Sequence, residues 1–521
     1  MLDIFRDSFV GQATRILTRH RFCRYPEDDP TFVLREEVSK LSVPRPTEDS
    51  EKREDPVVTW YDATDPENPQ NWGAVKKSWV SLLLLLYTFS VYIGSSLYTA
   101  SEADISDIYH VSPVASAVGL SIYVIGYGIG PLLWSPLSEI PAIGRNHPYC
   151  FTYIIFVLLC IPLAFVENFA GVLVLRFLLG FFGSPCLATA GASYGDFWSG
   201  GKMPYVIALW GGGATLGPAL GPVVGNFAVA AKGWRWSTWE LLWLSGPTLI
   251  LMLLSLPETS SSTILYRRAR RLQTITGRSD IRSESMVTQA NMKPREIAVF
   301  ALVKPWEINA LDPAVLFSTF YTALIYGIYY SFFESFPLVY RDVYHFDQGA
   351  LGLAFLSVLT GLLIAVSVYV AYFYFIADPW MAKQDEIPPE ARLWPGLIAT
   401  FLIPIGLFIF AWTSRTSVPW IASMIGVATS MCGVFIITQC MFIYLPFTYP
   451  TYSGSLFAAN GFARAMFAAG AVLFAYPMFE SLGVPDGVSL LAALTCACCV
   501  GIYILYYRGA AMRKRSKFAV S

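Results

Sequence analysis

The chain has 521 residues, of which 55% are hydrophobic and 14% are charged, with a net charge of −1 at pH 7. Soluble domains carry about a quarter charged residues, so this composition excludes an ordinary soluble domain. A balanced charge without a basic patch also argues against a nucleic-acid partner.

The N-terminal stretch MLDIFRDSFVGQATRILTRHRF is mixed and charged, and it lacks the apolar core of a secretion signal. Its apolar side chains repeat at helical spacing. One interpretation is a membrane-surface helix, with Phe9, Ile16 and Leu17 in the lipid and Arg15 and Arg19 among the headgroups. The alternative, a partly disordered tail, fits the composition equally well.

Twelve apolar segments follow the polar region 1–77, each close to the length that crosses a bilayer as a helix. The first six lie at 78–100, 112–136, 149–166, 169–194, 203–229 and 239–256, and the second six at 312–339, 347–376, 394–412, 418–446, 453–480 and 485–507. The pattern predicts an all-α polytopic membrane protein with two six-helix halves, 78–256 and 312–507. A central loop, 257–311, joins the halves, and a basic tail, 508–521, ends the chain.

The cationic side chains predict the orientation of these spans. The central loop is rich in them, and they include Arg267, Arg268, Arg270, Arg271, Arg278, Arg282, Lys293 and Arg295. The tail is also basic, whereas the loops on the opposite side hold fewer cations, among them Lys232, Arg235 and Arg341. Loops rich in Lys and Arg remain in the cytoplasm, so we expect both termini and the central loop to be cytoplasmic.

The fifth segment contains GATLGPALGPVVG at 213–225, a run of the two poorest helix formers. Its glycines and prolines each recur at every fourth residue, which places each set on one helix face. The residues are Gly213, Gly217, Pro218, Gly221, Pro222 and Gly225. The glycines predict close approach of another helix, and the prolines a bend. An ordinary packing face is the simpler alternative.

Four stretches together carry a resemblance to the major facilitator superfamily. They are GPLLWSPLSEIPAIGRN (130–146), VLVLRFLLGFFGSP (172–185), GATLGPALGPVVG (213–225) and LPETSSSTILYRRARRLQ (256–273). With DPENPQNW (65–72) and GWRWSTW (233–239), the chain resembles the twelve-span fungal drug:proton antiporters, and most closely their benomyl/methotrexate and fluconazole resistance subgroup. Two positions depart from the pattern: Glu139 stands two residues too far from Gly144, and Glu240 replaces an apolar residue.

The resemblance implies the major facilitator fold and a monomer in the plasma membrane, without a cofactor. It implies proton-coupled export of small hydrophobic or amphipathic compounds by alternating access, for example azoles, benomyl-type and cycloheximide-type drugs, or toxins that the cell makes. It also implies that the glycine–proline run seals the outer side against leak.

Three charged residues fall inside apolar segments, where charge is costly and indicates function. By resemblance, Arg176 is the fourth-span arginine of proton coupling. Glu334 lies deep in the seventh segment and is the candidate proton carrier, with Arg176 as the partner that tunes it. The alternative for Glu334 is a structural ion pair with an arginine of a neighbouring helix, and the role of Arg464 stays open.

Aromatic residues in the seventh segment suggest a substrate pocket. Tyr326, Tyr330 and Phe333 lie at i, i+4 and i+7 and therefore share one face. Polar or aromatic residues deep in other segments complete the candidate pocket: Trp210, Gln439, Asn460 and Arg464. Ordinary core or lipid-facing aromatics are the alternative.

Glu139, Arg145 and Asp196 lie at the expected cytoplasmic ends of spans. They are candidate gate residues, because ion pairs can hold one conformation and break in another. Solvated loop charges are the alternative.

No nucleotide-binding loop, catalytic cluster or metal site is visible in the sequence, so we expect neither ATP hydrolysis nor enzymatic activity. Two alternatives to an exporter remain at this point. One is a nutrient importer of the same fold, and the other is a membrane sensor that transports nothing.

Overall fold

The computed structural model describes residues 2–19, 21–28, 57–290, 303, 306–384, 387–449 and 453–517. The predicted N-terminal region and central loop are therefore described only in part. Of the cations used to predict orientation, Lys293 and Arg295 lie outside the described residues.

Twelve helical segments in the described chain are long and apolar enough to cross a membrane, which confirms the predicted number. They are Ala74–Tyr109, Pro113–Glu139, Asn146–Phe165, Phe169–Phe197, Met203–Lys232 and Trp236–Ser255, then Pro313–Val343, Gln348–Met381, Pro389–Thr413, Trp420–Thr448, Leu456–Leu482 and Val484–Arg515. We number them as the first to twelfth spans. Because six crossings separate each terminus from the central loop, all three lie on one side, here called the terminal side.

Several spans consist of consecutive helices. The first contains Ala74–Ser96, a 3-10 turn at Leu97–Ser101 and Glu102–Tyr109; the fourth contains Phe169–Gly183 and Pro185–Phe197. The seventh continues from Pro313–Phe336 into a π-helical turn at Pro337–Val343, and the eighth contains Gln348–Ala354, Leu356–Tyr372, a π-helical turn at Phe373–Ala377 and Asp378–Met381. The ninth begins with a 3-10 turn at Pro389–Leu393 before Trp394–Thr413, and the eleventh helix is Ser453–Leu482. Breaks at Pro185 and Pro337 are expected, because proline has no N–H for the preceding turn.

The remaining elements are short and lie outside the spans. They are the helices Leu2–Arg6, Phe9–Leu17, Ser261–Thr276 and Glu284–Ala290, the 3-10 turns Pro26–Asp28 and Pro69–Asn71, and two strands, β1 (Val57–Val58) and β2 (Arg282–Ser283), which pair in parallel. We call Ser261–Thr276 the loop helix. The pairing of β1 with β2 attaches the N-terminal region to the central loop.

Buried charges strengthen that attachment. Arg268 of the loop helix is 1% exposed, and it lies 2.7 Å from Asp65, 3.0 Å from Glu67 and 3.7 Å from Glu27. Arg271 contacts Glu27 and Glu67 as well. Burial raises the pKa of Asp65, but the hydrogen bonds and charge of Arg268 outweigh burial and lower it below its usual value. We call these five residues the arginine clasp.

The helix Phe9–Leu17 packs against the third and sixth spans. The expected place of Arg15 among lipid headgroups is wrong. Arg15 is 8% exposed and pairs with Asp28 at 2.8 Å, because the chain folds back after the helix. Ile16 and Leu17 are exposed, as a membrane-surface helix requires.

The two halves contact each other through a few spans. The second span packs along the eleventh, and the fifth packs against the eighth and tenth. A polar contact also joins the second and eleventh spans, where the Ser121 hydroxyl donates to the carbonyl of Ala469 at 3.0 Å. The predicted pocket residues lie along these contacts and along the seventh span.

Candidate functional site

The glycine row of the fifth span lies against the first span. A Cβ atom at Gly217 would lie 2.7 Å from the backbone nitrogen of Ile93, and one at Gly221 would lie 3.0 Å from that of Leu97. The Ser96 hydroxyl donates to the carbonyl of Gly217 at 3.3 Å. Gly213 and Gly225 make similar approaches to the first span. Only glycine allows these two backbones to come so close.

The fifth span packs on the other half through a different face. A Cβ atom at Gly352 of the eighth span would lie 2.8 Å from the carbonyl oxygen of Pro222. Pro218 and Pro222 are both buried, within one continuous helix, Met203–Lys232. The glycine–proline run therefore places the fifth span in close contact with both halves.

Tyrosine hydroxyls join the halves at the middle of the bundle. The hydroxyl of Tyr127 in the second span lies 2.9 Å from that of Tyr326 and donates to that of Tyr330 at 3.0 Å. The Tyr330 hydroxyl also lies 3.2 Å from Ser95 of the first span. Tyr326 and Tyr330 share a face, as predicted, with ring centroids 4.9 Å apart. Phe333 extends that face, 5.3 Å from Tyr330.

An aromatic and cationic stack continues from these tyrosines. The Arg464 guanidinium lies 5.3 Å from the ring centroid of Tyr326 and 4.9 Å from that of Phe442. Another neighbour of Phe442 is Trp210, at 6.0 Å between centroids, whose indole N–H donates to Thr88 at 3.1 Å. The stack runs from the fifth span through the tenth and eleventh spans to the seventh.

Two buried amides adjoin the stack. Gln439 and Asn460 are each 1% exposed. Asn460 donates to Thr322 at 2.8 Å, whereas its own oxygen and the side-chain oxygen of Gln439 have no hydrogen-bond partner in the described chain. Gln439 lies beside Gly211, where a Cβ atom would collide with its amide nitrogen.

We call this assembly the central cluster, and it contains eight residues: Tyr127, Trp210, Tyr326, Tyr330, Gln439, Phe442, Asn460 and Arg464. Tyr127 and Trp210 come from the first half, and the other six from the second. All the predicted pocket residues except Phe333 belong to it. Phe333 lies one turn farther from the terminal side, stacked on Phe355 at 5.5 Å.

Arg176 is not the partner of Glu334, and that prediction is wrong. Arg176 is 3% exposed, and its nitrogens donate to three backbone carbonyls, of Gly119 at 3.0 Å, Gly94 at 2.8 Å and Ser95 at 3.1 Å. Its guanidinium also lies 4.3 Å and 4.7 Å from the ring centroids of Tyr98 and Tyr123. Arg176 therefore connects the fourth span to the first and second, within one half.

Glu334 faces a cavity of about 480 Å³ at the ends of the spans opposite the terminal side. Glu334 is 7% exposed, and one of its carboxylate oxygens has no hydrogen-bond partner among the described residues. Glu102, from the first span, lines the same cavity and also has a buried oxygen without such a partner. The two carboxyl groups, one from each half, interact electrostatically, and the cation that interacts with Glu102 is Arg176.

At the terminal side, Arg145 and Asp196 pair at 2.9 Å, as a gate would require. Burial lowers the pKa of Arg145, but the charges of Asp196, Glu139 and Glu258 contribute to a net rise. Glu258, 4% exposed, accepts from the backbone nitrogens of Arg145 and Asn146 at 3.1 and 3.3 Å. This cluster lies within the first half.

Contacts between halves also occur at the terminal side. The Tyr205 hydroxyl of the fifth span donates to Asp378 of the eighth at 2.5 Å. Glu139, at the end of the second span, makes no ion pair with Arg145 within the described structure, and its carboxylate points to Gly454 of the eleventh helix. The terminal side is thus joined across the halves, while the cavity lies at the other side.

Several residues of these sites were missed from sequence. Glu102 lies in SEADISDIY, an acidic stretch that resembles a loop but continues the first span as the helix Glu102–Tyr109. Glu258 lies in the LPET stretch, whose place after the sixth span was a usable signal. Tyr127 and Phe442 carry no signal of their own, since buried aromatics are common in spans.

Comparison with known proteins identifies the family. A family model described as Major Facilitator Superfamily matches residues 83–475. The chain is 44% identical to the MFS-type transporter pyvG of Aspergillus violaceofuscus, over 89% of this chain and 85% of that protein. It is 37% identical to Fluconazole resistance protein 1 of Saccharomyces cerevisiae, over 90% of this chain and 86% of that protein.

A solved structure has the same fold. The proton:xylose symporter XylE superposes with a TM-score of 0.61 at 12% identity, covering 84% of this chain and 97% of that one. The predicted resemblance is confirmed by these matches. The matched residues span both six-helix halves, and the chain therefore belongs to the major facilitator superfamily.

Proposed function

We propose that this protein exports small hydrophobic or amphipathic compounds, antifungal drugs among them, in exchange for protons. The observation that carries the proposal is the central cluster. It combines aromatic rings with unsatisfied polar atoms between the two halves, where transporters of this architecture bind substrate. The relation to Fluconazole resistance protein 1, 37% identical, supports antifungal compounds as substrates.

We assign the terminal side to the cytoplasm, with the protein as a monomer in the plasma membrane. The cations of the central loop and tail support this orientation. In it, the cavity of about 480 Å³ faces the cell exterior, and the contact from Tyr205 to Asp378 closes the cytoplasmic side. The structure then corresponds to the state that releases substrate and takes up protons.

Glu334 and Glu102 are the groups that we assign to proton binding. They belong to opposite halves and face the same external cavity. Closing that cavity removes water and brings like charges together, and both effects favour a bound proton. Binding of a proton from outside thus allows the external cavity to close. Release of that proton to the cytoplasm then allows the next transport cycle to begin.

Glu139, Arg145 and Asp196 then serve the cytoplasmic gate in two ways. Arg145 and Asp196, held by Glu258, keep the ends of the third and fourth spans together within the first half. Glu139 faces the eleventh helix of the other half, so its contact must separate when the cytoplasmic side opens. Tyr205 and Asp378 form a second contact of this kind.

The test uses a fungal strain that lacks its own drug exporters. Expression of this chain should raise resistance to fluconazole or cycloheximide and lower the accumulation of a fluorescent substrate. A protonophore, with ATP held constant, should restore accumulation. Persistent efflux would contradict proton coupling, and net uptake that depends on the chain would instead support an importer.

Glu334→Gln tests the proton site. The variant mimics a permanently protonated carboxyl group, so it should still bind drug, with an affinity that changes less from pH 5 to 8 than that of the wild type, and lose gradient-driven export. Asp107→Asn is the matched control, because Asp107 lines the same cavity but is exposed. Normal export by Glu334→Gln would leave the proton site unassigned.

A further inference from the structure

Arg464 is a buried cation without an acceptor. It is 8% exposed, and its Nε atom has no hydrogen-bond partner. Within the described residues, no carboxylate lies within ion-pair distance of it and no hydrogen bond engages its side chain. A buried charge without a counter-charge is costly, so a bound anion would stabilise Arg464.

The groups around Arg464 do not supply the missing charge. The titratable side chains that interact with it electrostatically are tyrosines: Tyr92, Tyr326 and Tyr330. Phe442 and Tyr326 offer ring faces, which attract a cation but do not neutralise it. Glu102 and Glu334 line the external cavity, and Glu139 lies at the cytoplasmic end of the second span.

The rest of the central cluster indicates what else a ligand would contain. The rings of Trp210, Phe442 and Tyr326 form flat apolar surfaces beside the guanidinium. The free side-chain oxygens of Gln439 and Asn460 are acceptors, so they suit a hydroxyl or N–H donor. The same cation repels positively charged compounds.

We propose that the central cluster binds aromatic compounds that carry a carboxylate or a similar anionic group, and that Arg464 selects them. The inference rests on the proposed export function, and it deepens that function by naming the substrate class. Arginine suits this role, because its planar donors match the two oxygens of a carboxylate. Neutral compounds with a strong acceptor at the same position bind more weakly.

The experiment compares two dyes with one ring system. Fluorescein carries a carboxylate and is anionic at neutral pH, whereas rhodamine 123 carries an ester and is cationic. Binding to the intact protein in nanodiscs of neutral lipid is measured by fluorescence anisotropy. The wild type should bind fluorescein at least about tenfold more tightly than rhodamine 123, a difference of about 1.4 kcal/mol.

Variants at Arg464 test whether this residue causes the preference for fluorescein over rhodamine 123. Arg464→Gln should reduce that ratio to about one, and Arg464→Lys should keep its direction, since the charge remains. Arg508→Gln is the control, because Arg508 is an exposed arginine at the end of the twelfth span, and its removal should not change the ratio.

The outcomes separate this inference from the export function. Equal binding of the two dyes by the wild type, or an unchanged ratio in Arg464→Gln, overturns the anionic selectivity even if cells still export drugs. A strong fluorescein preference that depends on Arg464, in a protein that confers no drug resistance, supports the anion site and overturns the export of antifungals.

Discussion

Two buried arginines, one in each half, have opposite surroundings. Arg176 donates to three backbone carbonyls and lies between two tyrosine rings, all within the first half. Arg464 is nearly as buried, yet in the part of the chain that the structure describes it contacts the faces of two rings and makes no ion pair.

The difference shows that burial alone does not reveal what a charge in a span does. A buried charge whose donors are all used holds helices together, because removing it leaves carbonyls without partners. A buried charge with unused donors weakens the resting protein, and it is therefore a candidate for binding a ligand. Hydrogen-bond partners therefore decide between structural and functional roles.

The largest effect is expected from Arg176→Met. This change leaves three buried carbonyls without their donor, at a cost on the order of 3–5 kcal/mol. The folded protein at the membrane should fall sharply, as measured by size-exclusion chromatography of a fluorescent fusion. Normal abundance, with a defect in transport alone, would instead indicate that Arg176 acts in transport and is not needed to hold the helices together.

Two glycines differ in the same way, because Gly217 is packed closely against another helix and Gly246 faces open space. Gly217→Leu would force the first and fifth spans apart, since backbone atoms lie where its side chain would begin. Export should drop to less than about a tenth of wild type, because close helix packing of this kind tolerates no side chain. Gly246→Leu is the control, as a Cβ atom at Gly246 meets no atom within 4 Å. Equal transport by the two variants would contradict the close-packing account.

The smallest effect is expected from Arg464→Met without ligand. Removing an unpaired buried charge should leave the thermal midpoint unchanged or raise it by about 1–3 °C. The measurement is a thermal melt of the purified protein, with Arg176→Met alongside if enough folded material is obtained. A large decrease in the midpoint for Arg464→Met would indicate that Arg464 has a structural partner after all.

The sequence predicted the spans well, because twenty apolar residues have few other structures available in a membrane. It also placed Tyr326 and Tyr330 on one helix face, and it named Arg464 for the same pocket because a charge inside a span is costly. It could not predict the partners of Arg176, because backbone carbonyls carry no sequence signal. Glu102 escaped for a related reason: an acidic segment looks the same whether it is a loop or the end of a helix.

The arginine clasp includes a carboxylate from the N-terminal region. Glu27 contacts both Arg268 and Arg271, and Arg15 holds Asp28 in the same short turn. Deleting residues 2–28 would leave two arginines of the loop helix short of one carboxylate. The helix Phe9–Leu17 and the turn Pro26–Asp28 therefore contribute packing and ion pairs to the first half, and a chain that lacks them would lose these contacts.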